Sequence, residues 1–231
     1  LREADSVKQH KKIQMSEAFQ LGAVLAVVGG FLDAYSYLFR GGVFANAQTG
    51  NIVLLGISLQ KGKWQGAVHY AIPILAFAAG VIVVELIKKY FKQHPKIHWR
   101  QIIVMIEAAM ICLVAFIPSG EADMIANVII SFVCAMQVET FRKVHGNVYA
   151  TTMCTGNLRS GMEILFKYFQ TKDRELLNRS LKYFGIILFF IVGAAAGTAA
   201  GNVLSHNAVL ICSALLLAVF FMMFMETKKI N

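Results

Sequence analysis

Charged residues are scarce in this sequence: they make up 15% of 231 residues, whereas ordinary globular proteins carry about a quarter. Hydrophobic residues make up 57%, and the mean hydropathy is +0.60. No polar stretch between the apolar runs is long enough for a soluble domain, which excludes an ordinary soluble protein. Several runs reach roughly the 20 residues that cross a hydrocarbon core of about 30 Å. The sequence therefore predicts a multi-pass integral membrane protein.

Cysteine is also sparse. The four cysteines, Cys112, Cys134, Cys154 and Cys212, lie in apolar segments without CxxC spacing. Because clustered His and Cys residues are absent from the sequence, we expect no metal site and no disulfide framework. The chain contains no GxSxG, HExxH, P-loop or dinucleotide-binding motif. We therefore expect no enzyme, no catalytic residue and no cofactor; the alternative is an intramembrane enzyme that uses Asp33.

The formal net charge of +9 could indicate nucleic-acid binding. The Lys and Arg residues, however, lie at the ends of apolar runs rather than on a separate basic face with aromatic residues. This position is typical of membrane anchors. We therefore expect the lipid bilayer as a partner, and no nucleic acid.

Hydropathy divides the chain into eight apolar segments. They cover residues 18–39, 43–60, 66–87, 101–117, 124–141, 148–166, 183–204 and 207–225. If all eight crossed with the N-terminus inside, the basic connection from Lys88 to Arg100 would lie outside, contrary to the positive-inside bias. If the second and sixth segments instead enter and leave on the same side, all but three of the 22 basic residues fall inside. The three exceptions are Arg40, Lys61 and Lys63.

This charge distribution predicts an all-α fold with six transmembrane helices and two re-entrant or broken-helix segments. Three crossings per half give the halves opposite orientations, which makes a 3+3 inverted repeat. We expect a cytoplasmic N-terminal segment 1–16 without a cleavable signal, membrane repeats 17–117 and 118–227, and a cytoplasmic tail 228–231. A full crossing of the two doubtful segments stays open, because Arg40 and Arg159 flank them.

The tripeptide Thr-Gly-Asn occurs in both doubtful segments, at Thr49-Gly50-Asn51 and Thr155-Gly156-Asn157. Each copy lies 16 residues after an acid, Asp33 or Glu139, and the two pairs are offset by 106 residues. A repeated tripeptide alone could be chance. With a matched acid in matched apolar surroundings, it indicates a duplicated membrane unit.

Each motif adjoins a stretch that favours a half-helix, Asn51 to Gln60 in the first copy and Leu158 to Phe169 in the second. We expect Thr49 to be the N-cap of the first half-helix. Entering from opposite faces, the two N-termini would approach the midplane, where free N–H groups and helix dipoles favour an anion or a strong acceptor. The alternative is that Thr and Asn only cap buried helix ends while Gly permits close packing.

The expected site between the motifs binds a small polar or anionic solute. Its candidate residues are Asp33, Asn46, Gln48, Thr49, Gly50, Asn51, Thr151, Thr152, Thr155, Gly156 and Asn157. Asp33, Glu107 and Glu139 are candidates for proton coupling, because a charge facing lipid costs several kcal/mol. The alternatives are a helix–helix hydrogen bond for Asp33, packing for Glu107, and an i,i+3 pair with Arg142 for Glu139.

Two further features keep alternatives open. Gly193, Gly197 and Gly201 are spaced to lie on one helix face, which lets another helix approach closely, in this chain or in another. Tyr35 and Tyr37 either line a cavity or belong to an aromatic belt at the membrane interface.

The sequence resembles the bacterial YoaK-type membrane family. The resemblance is carried by Gly29-Gly30-Phe31-Leu32-Asp33-Ala34, Gly41-Gly42-Val43-Phe44, Thr49-Gly50-Asn51 and Thr151-Thr152-x-x-Thr155-Gly156-Asn157-Leu158. It covers most of the chain and implies a small polytopic protein of the bacterial cytoplasmic membrane, in a family of unknown function. At Gln137-Val138-Glu139 the chain lacks the Gln-Asn that members often have.

The leading functional hypothesis rests on the residues rather than on the family. It is a secondary transporter or channel-like permease for a small polar or anionic solute, coupled to protons through the acids. The alternative is a non-transporting membrane scaffold or partner-binding subunit that associates through the Gly193 to Gly201 face. Homo-oligomerisation is left open by the sequence.

Overall fold

The computed structural model describes residues 19–91, 99–141 and 154–227. Several predictions fall outside this part of the chain. They concern the N-terminal segment 1–16, the tail 228–231, the basic residues Arg142 and Lys143, and the candidate site residues Thr151 and Thr152.

All regular structure in the described residues is helical, and its eight α-helices follow the eight apolar segments in order. The helices are α1 Phe19–Phe39, α2 Gln48–Gln60, α3 Trp64–Phe91, α4 Trp99–Val114, α5 Asp123–Thr140, α6 Cys154–Thr171, α7 Arg174–Leu204 and α8 Leu210–Thr227. A 3₁₀ turn, Ser205–Val209, joins α7 to α8. The all-α prediction is confirmed.

Four helical stretches are long and apolar enough to cross a membrane: Phe19–Phe39, Trp64–Phe91, Asp123–Thr140 and Arg174–Met223, the last covering α7 and most of α8. The two motif helices are not among them. α2 has 13 residues, about 20 Å at 1.5 Å per residue. α6 has 18 residues, but Arg159, Glu163 and Lys167 on it make it amphipathic. α4 is also short for a span, with 16 residues.

The buried core lies where α1, α4, α5 and α8 meet. It includes Phe31 of α1, Ile111 of α4, Ile130 of α5 and Leu216 of α8. The surrounding helices α2, α3, α6 and α7 expose large apolar side chains, among them Ile52, Leu75, Ile82, Phe166, Leu188 and Ile191. An apolar exterior of this extent is what a surface in contact with lipid requires.

Helix pairing follows a regular scheme. α1 packs along α7 and α5 packs along α3; α2 lies on α3 and α6 lies on α7. α4 contacts α5, α8 contacts α1, and α4 and α8 contact each other. If α1, α2, α3 and α4 are exchanged with α5, α6, α7 and α8 in that order, each of these helix pairs becomes a pair of the same set.

Glycines let α1 and α7 approach closely. A Cβ at Gly193 would overlap the carbonyl oxygen of Val27, and a Cβ at Gly197 would lie 2.7 Å from that of Phe31. In return, a Cβ at Gly30 of α1 would overlap the carbonyl oxygen of Phe190. The glycine face of α7, whose partner the sequence left open, is thus covered by α1 of the same chain.

Candidate functional site

A non-helical segment, residues 41–47, connects α1 to α2. Gly41 and Gly42 begin it with φ of +82° and +77°, a left-handed conformation that glycine adopts without a steric penalty. The chain turns there and runs back along the end of α1. Its backbone donors cannot be left without partners inside a membrane protein, because each unmet group costs several kcal/mol in an apolar medium.

Side chains of α1 satisfy these donors. The N–H of Ala45 donates to Ser36 Oγ (3.1 Å). The N–H groups of Asn46 and Ala47 both donate to Asp33 Oδ1, at 2.7 and 3.3 Å. Asp33 is only 6% exposed, so its carboxylate holds the start of α2 in the protein interior.

Asn51 holds the same segment from the other side. Its Oδ1 accepts from the N–H of Phe44 (3.0 Å), and its Nδ2 donates to the carbonyl oxygen of Phe44 (2.6 Å) and to Gln48 Oε1 (2.9 Å). The N-cap of α2 is Ala47, and it makes no side-chain cap bond. The prediction that Thr49 is the N-cap is therefore wrong, because α2 begins two residues earlier than the motif suggested.

The second motif lies in the first turn of α6. Thr155 and Gly156 are exposed, whereas Asn157 is buried, and Thr49 and Asn51 show the same contrast in α2. α6 is fixed against α7, where Ser180 Oγ donates to the carbonyl oxygen of Gly161 (2.8 Å). In both elements the motif threonine faces open space and the motif asparagine faces protein.

One cavity of about 820 Å³ lies between these two elements. It is lined by α1, the 41–47 segment, the first turn of α2, the first two turns of α6, one position on α3 and two on α7. The lining residues are Asp33, Ala34, Tyr37, Leu38, Phe44, Asn46, Ala47, Gln48, Thr49, Phe77, Cys154, Thr155, Gly156, Asn157, Arg159, Ser160, Phe190 and Ala194. Motifs that are 106 residues apart in the sequence thus share one chamber.

Seven of the eleven candidate solute-binding residues line this cavity. They are Asp33, Asn46, Gln48, Thr49, Thr155, Gly156 and Asn157. Gly50 and Asn51 do not: Gly50 packs against the ring of Phe44, and Asn51 is fully buried. Tyr37 lines the cavity, whereas Tyr35 is buried in the core.

Sequence reasoning overlooked Arg159 and Ser160 as lining residues. A signal for them was available, because Arg159 follows Thr155 by four positions and Ser160 follows Gly156 by four. Residues at i and i+4 share one face of a helix. Once Thr155 and Gly156 face a cavity, the next turn of α6 faces it as well.

A family profile covers nearly the whole membrane region. The profile described as "Protein of unknown function (DUF1275)" matches residues 21–222. The chain belongs to this family. The UPF0700 transmembrane protein YoaK of Bacillus subtilis (strain 168) is a relative of this DUF1275 chain, with 25% identity over 181 residues, 74% of this chain and 79% of YoaK. The resemblance to the YoaK-type family is thereby confirmed, and no solved structure matches the chain.

Two of the three candidate coupling acids of this DUF1275 protein lie away from the cavity lining. Glu107 is fully buried on α4, and neither carboxylate oxygen has a hydrogen-bond partner among the described residues. Glu139 is half-buried near the C-terminal end of α5. Only Asp33 combines a buried carboxylate with a position on the cavity wall.

Proposed function

We propose that this chain is a secondary transporter or channel-like permease for a small polar or anionic solute, rather than an enzyme. It would act in the bacterial cytoplasmic membrane with both termini in the cytoplasm. The observation that carries the proposal is the cavity between the two Thr-Gly-Asn elements of a membrane protein. Pockets of a few hundred to about 1,000 Å³ with a few convergent polar groups are typical of ligand sites.

The helix pairing supports two inverted repeats of three crossings each. In this arrangement α1, α3 and α4 correspond to α5, α7 and α8, and the pairings survive the exchange. The first repeat would cover residues 17–117 and the second 118–227. In transporters built this way, solute sites form at the repeat interface near the midplane, where the cavity would lie.

The backbone bonding of residues 41–47 supports α2 as a re-entrant half-helix. Non-helical backbone at membrane depth is tolerated only where it is buried in protein or lines a polar cavity. This segment meets both conditions, because Asp33, Ser36 and Asn51 bind its donors and Asn46 lines the cavity. α6 would enter from the opposite face as its counterpart.

Proton coupling would fall to Asp33, the one candidate acid on the cavity wall. Protonation would remove a negative charge directly beside the solute, so the proton and the solute would influence each other's binding. Glu107 would serve as a second, more distant proton site within the core.

The alternative function is a non-transporting scaffold that associates through the glycine face of α7. That face is covered by α1 of the same chain, so no specific observation favours the scaffold.

A native cysteine tests whether the cavity is hydrated. Cys154 lines it, whereas Cys134 and Cys212 are buried in the core. A membrane-impermeant thiol reagent is added to a Cys112→Ser variant, first from one side of the membrane and then from the other. We expect it to label Cys154 from at least one side. A Cys154→Ser control should remain unlabelled. Absence of labelling from both sides would mean a dry interface and would refute the transport proposal.

Flux measurements in proteoliposomes then test the residues. Asp33→Asn keeps an oxygen that can accept the two backbone hydrogen bonds, and Thr155→Val keeps the side-chain volume. We expect both variants to fold and express but to lose most of the solute accumulation that the wild type drives with a proton gradient. Unchanged accumulation in both variants would argue against this site.

A further inference from the structure

The cavity lining carries charges of opposite sign on different elements, an acid beside the start of α2 and a base on α6. At the α2 end, Asn46 and Ala47 already donate to Asp33 Oδ1, and the N–H of Gln48 donates to the carbonyl oxygen of Asn46 (2.9 Å). The anion expected at this helix start is thus the protein's own carboxylate. A second anion here would meet a buried negative charge in a medium of low dielectric constant, where like charges repel strongly. This end is the acidic pole of the cavity.

The α6 end carries the opposite charge. Arg159, one turn into α6, is an exposed side chain that lines the cavity, and among the described lining residues it is the only basic one. Glu163, the acid one turn further along, pairs with Lys167 at 2.9 Å. This hydrogen bond and the charge of Lys167 lower the pKa of Glu163, and the charge of Arg159 lowers it further. Within the described part of the chain, Arg159 forms no ion pair with Glu163 or with Asp33. The guanidinium is the basic pole of the cavity.

The cavity lining also carries aromatic rings. The rings of Tyr37 and Phe44 stack with centroids 4.4 Å apart and planes inclined by 15°. Phe77 of α3 and Phe190 of α7 also line the cavity. Such rings bind apolar groups, and their faces attract cations. A solute of this site therefore needs an apolar body as well as charged ends.

We propose that the solute is a zwitterion of the amino-acid type with a bulky apolar side chain. Its ammonium group would bind at Asp33, its carboxylate at Arg159, and its side chain on the aromatic wall. A simple anion brings no cationic group to Asp33, and a simple cation brings no anionic group to Arg159, whereas a zwitterion brings both. This inference rests on the proposed function and narrows its solute to one chemical class.

Four probes of matched shape test the inference. Phenylalanine carries both charges, 3-phenylpropanoate lacks the ammonium group, 2-phenylethylamine lacks the carboxylate, and glycine lacks the ring. We expect the purified full chain to bind radiolabelled phenylalanine saturably. Each of the other three should compete at least about tenfold less well, since a hydrogen-bonded charged contact or a buried ring is worth that factor or more.

Two charge variants test which residue binds the ammonium group of the solute and which binds its carboxylate. Asp33→Asn should weaken phenylalanine binding about 10- to 100-fold but leave 3-phenylpropanoate unaffected or improved, because a repelling charge is lost. Arg159→Gln should weaken phenylalanine binding by a similar factor and spare 2-phenylethylamine. Lys167→Gln is the matched control, a basic residue of α6 outside the cavity lining, and should bind phenylalanine as the wild type does.

Three results would overturn the inference. They are no saturable phenylalanine binding at millimolar concentration, equal binding of phenylalanine and 3-phenylpropanoate, and charge variants that affect all probes equally. The labelling of Cys154 is independent of solute chemistry. A labelled cavity without phenylalanine binding would therefore reject the zwitterion and keep the transport proposal, whereas an unlabelled cavity would reject both.

Discussion

The strongest stability prediction concerns Arg40, which the sequence assigned to the outer side as one of three basic exceptions. Its side chain is fully buried. The guanidinium donates to Tyr35 Oη (2.9 Å), Asp123 Oδ1 (3.0 Å) and the carbonyl oxygens of Val114 (3.4 Å), Ile117 (2.9 Å) and Pro118 (3.1 Å). Asn127 Nδ2 in turn donates to the carbonyl oxygen of Arg40 (2.6 Å). One side chain thus ties α1 to the connection between α4 and α5.

Replacing Arg40 by Met keeps much of the side-chain length and removes all of these donors. Breaking one side of a buried ion pair costs about 3–5 kcal/mol. Asp123 is 16% exposed, so water can reach its freed carboxylate and the cost should lie near the lower figure. For a chain of 150–250 residues, each kcal/mol lowers Tm by about 2–4 °C. We therefore expect a fall in Tm of roughly 6–12 °C.

The assay is thermal unfolding of the detergent-purified protein, followed by the loss of the monodisperse peak in size-exclusion chromatography. Lys63→Met is the matched control, because Lys63 is exposed. This substitution should leave Tm within about 1 °C of the wild type. Asp123→Asn keeps an acceptor for Nη1 and should give a smaller fall than Arg40→Met. A Tm for Arg40→Met equal to that of the control would refute the reasoning.

Three further predictions can be checked by the same unfolding assay. Gly193→Ala should lower Tm by several degrees because its methyl group meets the backbone of α1, whereas Gly156→Ala, with nothing within 4 Å, should not. Glu107→Leu should raise Tm, because it removes a buried carboxyl that has no hydrogen-bond partner in the described structure; a fall would indicate an unrecognised partner. Asn51→Ala should cost about 1–3 kcal/mol, because it leaves backbone groups of the 41–47 segment without partners, and an unchanged Tm would contradict that role.

Hydropathy and charge were sufficient to predict the helical composition of this chain. Apolar runs reveal helices directly, and the repeated motif indicated which two helices are unusual. Those signals are local or periodic. The expectation that both motifs would lie together followed from the charge distribution, because the basic residues collect on one side only if both motif segments re-enter, from opposite faces.

The long-range contacts could not be predicted in this way. Nothing near Arg40 in the sequence reveals that it donates to acceptors 74–83 positions further on. The charge count therefore placed it on the outer side without indicating that it is buried. The Thr49 prediction failed for a related reason. It considered only the residues around the motif, whereas the start of α2 is fixed by Asp33 on the preceding helix.

Asp33 contributes both to the stability of the 41–47 segment and to the wall of the cavity. The backbone donors of this segment need acceptors inside the protein, and a carboxylate on the adjacent helix supplies them. The same carboxylate then lies on the wall of the cavity that the broken helix creates. A substitution that removes the acceptor destabilises the segment and changes the cavity wall together, so a loss of the proposed transport in such a variant would have no single cause. Asp33→Asn separates the two effects, because an amide oxygen still accepts hydrogen bonds while the charge is gone.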